Sequence, residues 1–227
     1  MNRLVSKQIQ RFAPLPLLAL SLGLVAAVPA SSSDPPAMKA ASDAANGSVV
    51  HFGDSFVNAG LQQALRPKFR NAQTRYFVFS KVSSWLTTWA HGTELDNLYW
   101  GYRPSLFLIT LGANDLRFNQ PDLRASKVRL IVKRLRNTPC VWIGPPDWVP
   151  GPSPMLDMIR ENSAPCRYFD SNALSSRISR QRDKIHPDEA GGSLWADEFW
   201  TWLQNERDPD KGYWALKPAP PDEHVVA

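Results

Sequence analysis

Five short apolar runs stand out along the chain: Val49–Phe52, Tyr76–Phe79, Leu106–Leu111, Val141–Ile143 and Tyr168–Phe169. They lack the apolar–polar alternation of a half-exposed strand, so they predict strands buried on both faces. Longer amphipathic stretches lie between them. Phe56–Phe69 predicts a helix after the first strand. Leu123–Arg136 predicts another, with Val128, Ile131, Val132 and Leu135 on one face and Arg and Lys on the other. Pro187–Asn205 predicts a closing helix that turns Trp195, Phe199, Trp202 and Leu203 inward. Alternation of strand and helix argues for an α/β fold, a five-stranded parallel sheet covered on both faces. No internal repeat is visible.

A length of 227 residues suits one domain with tails, and 43% hydrophobic residues with nine Trp suffice for a core, which excludes global disorder. The net charge of +5 raises the question of a polyanion partner. Its location answers much of that question. Residues 1–30 hold Arg3, Lys7 and Arg11 and no acid, then an apolar run from Leu15 to Val28, then Val28-Pro29-Ala30. A basic start, a short apolar centre and small residues before a cleavage point are the pattern of a signal peptide, with cleavage expected after Ala30 and retention as an anchor as the alternative. The apolar run is shorter than a bilayer span, so no stable membrane insertion is expected after cleavage. Of 26 Lys and Arg, three lie in this segment, leaving 23 against 21 acids, a balance of +2. Residues 31–47, rich in Ser, Ala and Pro, read as a flexible leader. The Pro- and charge-rich segment 207–227 reads as a surface tail. Arg124, Lys127, Arg129, Lys133, Arg134 and Arg136 read as a solvated helix face, and no nucleic-acid motif accompanies them. An exported address, secreted or periplasmic, makes a Cys140–Cys166 disulfide plausible, with two buried thiols as the alternative. Neither Cys has partners at metal-binding spacing, so no metal is expected.

Three segments follow or precede elements at places where chemistry is done. Gly53-Asp54-Ser55 comes directly after the first strand and before a helix. A Ser there has its hydroxyl at the carboxyl edge of the sheet and at a helix N-terminus, which favours developing negative charge. An ordinary N-cap Ser would look the same. Gly112-Ala113-Asn114-Asp115 follows the third strand at the same edge, and an Asn side chain there can donate to an oxyanion, although these are also turn residues. Asp183-Lys184-Ile185-His186-Pro187 precedes the last helix. His186 can act as a base towards Ser55, with Asp183 orienting its ring. Of the other histidines, His51 reads as a packed core residue, His91 lacks a useful acid, and His224 falls in the tail.

Together these three blocks, in this order and spacing, resemble the SGNH hydrolase superfamily, also called the GDSL family. The resemblance spans roughly residues 48–206. It implies a three-layer α/β/α sandwich with the flavodoxin-like strand order 2-1-3-4-5, and a serine esterase or acyl hydrolase that needs no metal or organic cofactor. Carried over by position, Ser55 is the nucleophile, His186 the base and Asp183 its orienter. The oxyanion hole would comprise the N–H groups of Ser55 and Ser84 and the side chain of Asn114. Two departures accompany the match. The family's Gly after the second strand is missing from Phe79–Trp85, where Ser84 fits best and Ser83 next. Gly60 also sits one residue later than the family's usual following Gly. Candidate substrate contacts are Asp54, Trp85 and Trp148, with Phe56 and Trp89 as further aromatic neighbours. The stiff segment Gly144–Pro150 is expected to shape one wall of the pocket. A small-molecule or glycan ester is the expected substrate, O-acetyl groups of glycans included. Transfer of an acyl group to a polysaccharide, or non-catalytic glycan binding on the same scaffold, are the alternatives. Oligomeric state is not legible.

Overall fold

The computed structural model describes residues 47–226 other than Pro150 and Pro209. The expected signal peptide (1–30) and all of the leader but Gly47 lie outside the described residues. β1 (Ser48–Gly53) runs into a π-helical turn (Val57–Leu61) and α1 (Gln62–Asn71). β2 (Arg75–Ser80) is followed by α2 (Leu86–His91) and α3 (Glu94–Tyr102), and β3 (Leu106–Thr110) by a 3-10 turn (Ala113–Asp115) and α4 (Asp122–Arg134). β4 (Cys140–Ile143) precedes α5 (Pro154–Asn162), and β5 (Arg167–Phe169) precedes a 3-10 segment (Ser171–Arg177) and α6 (Glu189–Glu206). The strands form one sheet in the order β2-β1-β3-β4-β5, and every neighbouring pair is parallel. This is the three-layer α/β/α architecture that the alternation predicts.

The continuous apolar runs have a direct physical reason. Successive strand residues point to opposite faces, and here each face carries its own core. Val50, Phe52, Phe107, Ile109 and Trp142 pack with Leu86, Trp89, Leu95, Val128, Ile131 and Ile159 from α2–α5. Val49, Leu106, Leu108, Val141 and Ile143 pack with Leu65, Phe69, Trp195, Phe199 and Leu203 from α1 and α6. His51, in the middle of β1, is fully buried. Its Nδ1 lies 2.6 Å from the Tyr76 hydroxyl and its Nε2 2.8 Å from Thr110 Oγ1. Burial pushes its imidazole down to about 3, so it stays neutral, a core histidine.

Two expectations need correction. Phe56–Phe69 is not one helix: Ala59 and Gly60 leave helical geometry, with Gly60 at φ 82°. The break brings the π-helical turn before α1 onto α6 at a pair of glycines. A Cβ on Gly192 would lie 2.4 Å from the Gly60 Cα, and one on Gly60 2.8 Å from the Gly192 Cα. The displaced Gly60 therefore serves a close helix crossing. The C-terminal segment, expected as a loose tail, packs on the domain. Arg207 and Leu216 form an antiparallel bridge, Trp214 is buried on the α1–α6 core, and the nearly buried Glu223 accepts from Arg167 Nε (2.7 Å) and the Tyr168 N–H (2.6 Å). α2, α3 and α5 were not predicted and occupy the loops after β2 and β4.

Cys140, at the start of β4, and Cys166, directly before β5, form a disulfide with their Cα atoms 4.6 Å apart. It closes a loop spanning 26 residues, a closure that restrains the unfolded chain by about 3 kcal/mol. Reduction, or replacement of both Cys by Ala, is expected to lower the melting temperature by roughly 6–12 °C in a domain of this size. Thermal melts with and without reductant check this, and an unchanged melting temperature would contradict it.

Candidate active site

Glycine 53 ends β1 where no side chain fits. A Cβ there would meet the Thr110 carbonyl oxygen at 1.7 Å, and this close approach lets the Asp54 N–H donate to that oxygen (3.1 Å). The Asp54 side chain then turns inward. Its Oδ1 accepts from the Phe56 N–H (2.9 Å), and its Oδ2 accepts from the N–H groups of Gly112 (3.2 Å) and Ala113 (3.1 Å). Asp54 is fully buried, so it cannot touch substrate as expected from the sequence; it binds the end of β1 to the end of β3. Ser55 follows the tied residue on one strand and Asn114 follows the tied pair on the other. The two residues therefore share the carboxyl edge of the sheet, where open α/β folds bind ligands.

Ser55 is half-buried at the start of its helix, where the first N–H groups have no intrahelical partner. Its Oγ lies 2.8 Å from His186 Nε2. On the other side of the ring, His186 Nδ1 lies 2.7 Å from Asp183 Oδ2. A carboxylate only accepts, so Nδ1 carries the hydrogen and Nε2 presents its lone pair to the Ser55 hydroxyl. Asp183 Oδ1 also accepts from the N–H groups of Ile185 (2.9 Å) and His186 (3.0 Å). This fold-back needs a left-handed residue, supplied by Lys184 at φ 60°. The His186 side chain, then the backbone N–H groups, hold the Asp183 carboxyl down to about 2, so it remains ionised through the working pH range. The loop is held in turn by Gln181, whose N–H donates to the His186 carbonyl (2.8 Å), and by an antiparallel bridge between Arg180 and Pro187.

The oxyanion donors are only partly as expected. Asn114 Nδ2 donates to the Ser84 carbonyl at 2.8 Å, which fixes the amide and leaves its second hydrogen. The Ser84 N–H donates to the Lys81 carbonyl (3.1 Å), and its side chain is buried, with Oγ accepting from Trp89 Nε1. Ser84 is therefore not a free donor; its carbonyl orients Asn114 instead. Ser83 takes the left-handed conformation of the turn, at φ 59°. Asp115 is buried too, and accepts from the Leu86 N–H (2.9 Å) and Arg124 Nε (2.8 Å), tying the loop after β2 to the turn after β3.

Among the aromatic candidates, Phe56 and Trp89 are core residues. Phe56 packs beneath the site, 5.2 Å from the His186 ring and 6.0 Å from Trp148. Trp148 is half-buried and Trp85 is 41% exposed in the loop after β2. Sequence reasoning missed Arg180, which belongs to no motif. Its guanidinium donates to the carbonyls of Ile185, Pro146 and Asp147, joining the His186 loop to the loop after β4. Among the described residues there is no cluster of His, Cys, Asp or Glu able to hold a metal, and no helix is long and apolar enough to cross a membrane. The basic face of α4 is largely paired within the domain: Arg124 with Asp115, Arg129 with Asn162, and Arg134 and Arg136 with Asp96.

No family model and no curated protein matches the chain in sequence. Solved structures do match in fold. The esterase EstA from Pseudoalteromonas sp., in a structure inhibited by monoethylphosphonate, matches with 21% identity and a TM-score of 0.54 over 70% of this chain and 97% of its own. A lipase/acylhydrolase from Enterococcus faecalis matches with 16% identity and a TM-score of 0.56 over 77% and 99%. The acetyl xylan esterase AlAXEase matches with 17% identity and a TM-score of 0.53 over 69% and 99%. The chain thus shares its fold with these esterases and this acylhydrolase.

Burial pushes the Asp54 carboxyl up to about 7, against the pull of its three N–H donors. A carboxyl raised in the folded state contributes stability that is full below its unfolded value near 3.8 and is lost as pH rises through about 7. Asp54→Asn sets an amide NH2 against a backbone N–H, a mismatch of about 1–3 kcal/mol. Its stability deficit relative to wild type is therefore expected to be larger at pH 5 than at pH 8. Denaturant titrations at both pH values read the difference, and a deficit independent of pH would mean that Asp54 is ionised throughout.

Proposed function

We propose that this protein is a serine ester hydrolase, exported from the cell, that cleaves carboxylic esters through an acyl-enzyme. The observation that carries this reading is the continuous hydrogen-bonded array of Ser55, His186 and Asp183, with spacings of 2.8 and 2.7 Å. His186 Nε2 takes the Ser55 proton as Oγ attacks the ester carbonyl, and the imidazolium formed is stabilised by ionised Asp183. The same proton is then delivered to the leaving alcohol oxygen, the C–O bond breaks, and the acyl group remains on Ser55. A water activated by His186 releases the acid and restores the serine. Negative charge on the tetrahedral oxygen is met by the Ser55 N–H and the second hydrogen of Asn114 Nδ2, both fixed before reaction.

The fold likeness to esterases supports the reaction class, and the likeness to AlAXEase supports a glycan acetyl ester as the substrate. Export is supported by the basic and apolar start of the chain and by the disulfide, a bond that persists in oxidising compartments.

A fluorophosphonate probe is expected to label wild type at Ser55, and p-nitrophenyl acetate to be turned over. Ser55→Ala should lose both. His186→Ala should lower kcat by on the order of 10³-fold or more, and Asn114→Ala by roughly 10²–10³-fold, each with the fold intact by circular dichroism. Absence of labelling in folded wild type would refute the hydrolase. Full activity in Asn114→Ala would remove Asn114 from the oxyanion hole.

A further inference from the structure

Beside the site, a cavity of about 350 Å³ opens between the loop after β4 and the 3-10 segment after β5. Both loops leave the carboxyl ends of their strands, so the cavity lies on the same edge of the sheet as Ser55. Its Trp148 wall is joined to the His186 ring by two successive ring contacts through Phe56, of 6.0 and 5.2 Å. Trp148 and the His186 ring thus share Phe56 as a neighbour, which sets the cavity wall beside the catalytic base.

The lining chemistry narrows what that group is. The charged residues at the cavity are already committed. Asp147 accepts from Arg117, the Val149 N–H (2.9 Å) and Ser153 Oγ (2.9 Å). Arg180 Nη2 is engaged by the carbonyls of Pro146 and Asp147 and by Ser175 Oγ, and its Nη1 by the Ile185 carbonyl. The cavity therefore offers no unpaired carboxylate, and its guanidinium is taken up by neutral backbone and hydroxyl groups. Asn172 Oδ1 accepts from the Asp147 N–H (3.1 Å), which fixes the amide and leaves Nδ2 without a protein acceptor among the described residues. Ser176 Oγ likewise has no hydrogen-bond partner among the described residues. A neutral amide donor and a hydroxyl beside an indole suit a hydroxyl-rich, uncharged ligand. Trp148 and Val149 supply an apolar part of the lining, and it is the amide and hydroxyl beside them that favour a saccharide over an acyl chain.

We infer that this cavity is a sugar subsite, taking the neutral saccharide unit adjacent to the one that carries the ester; the inference rests on the ester-hydrolase reading above. Arg180 gives the subsite a physical link to the chemistry, because the same guanidinium carries the cavity wall and the His186 loop.

The test fills the cavity from either side with Ser176→Trp and Val149→Trp. Ser176 makes no hydrogen bond that the first substitution would break, and Val149 contributes only its backbone N–H, which the second retains. Each variant is assayed against p-nitrophenyl acetate and against O-acetylated xylo-oligosaccharides. The expected result is a loss of at least 10-fold in kcat/KM on the oligosaccharide, carried by KM, with p-nitrophenyl acetate changed by less than twofold. Three results would overturn the subsite: unchanged turnover of both substrates, equal loss on both in both variants, or a wild type that hydrolyses p-nitrophenyl acetate and not the acetylated oligosaccharide. Failure of the hydrolase reading itself is separate, since it appears as wild type unlabelled by the fluorophosphonate probe.

Discussion

The site depends on one buried carboxyl. Asp54 lies at the point where β1 ends, and its two oxygens take three backbone N–H groups from two different chain segments. Burying such a group is costly unless it is bonded. The N–H donors are themselves orphans of a helix start and a turn, so each side resolves the other's deficit. The consequence is geometric. With Phe56 and Ala113 held to the same carboxyl, Ser55 and Asn114 have little freedom to part. Asp115 repeats the device one step out, drawing the Leu86 N–H and Arg124 to the same turn. Two buried aspartates thus bind the end of β1, the turn after β3 and the start of α2 into one edge before any catalytic side chain is considered.

The His186 arm is built on the opposite plan. Asp183 and its partner are 43% and 30% exposed, and their bonds are local, spanning three residues. Local bonds fix the ring relative to its own loop but not relative to Ser55. That second relation is carried by α6, which begins directly after the loop with Asp188 capping the Gly191 N–H and crosses the first helix at the Gly60–Gly192 contact. It is carried also by Arg180, which fastens the loop to the backbone after β4. A half-exposed base on a well-braced loop can accept and release protons to water while its distance to the nucleophile stays constant.

Legibility in the sequence follows the same division. Four strands are readable because they are buried on both faces. β2, at the sheet edge, is only half-buried and is readable from its run of aromatic and β-branched residues, and the three blocks are readable because their residue types are restricted by chemistry. Ser55 Oγ reaches His186 and His186 reaches Asp183, while Asn114 follows the Gly112–Ala113 pair that Asp54 holds. What the sequence hides is decided by backbone bonds. Asp54 looks like a polar residue beside a nucleophile, and only the positions of the Gly112 and Ala113 amides make it structural. Ser84 fits a motif position, yet its N–H is taken by Lys81. The short helices escape notice for local reasons: α2 has six residues, two of them Thr, and the start of α5 at Pro154 is hidden by the Pro- and Gly-rich run 150–153 directly before it. Arg180 carries no signal at all, since its partners are carbonyls and any sequence supplies those. In the C-terminal segment Pro and charge suggest a loose end, and the contrary signal was Trp214, a residue too large and apolar to leave unpacked.

That segment also explains how β5, only three residues long, holds its place at the sheet edge. An edge strand presents unpaired backbone groups and is stabilised when something covers them. Glu223 accepts from the Tyr168 N–H and pairs with Arg167, whose other end reaches Glu206 and the Lys217 carbonyl. The disulfide fixes the same strand at its start, to β4. The amino end and outer edge of β5 are thereby pinned from outside the sheet, while its carboxyl end feeds Ser171–Arg177 into the cavity wall. A short strand anchored in this way can carry a functional loop without the long pairing that would otherwise hold it, and this relates the C-terminal segment to the site although it lies at the far end of the strand.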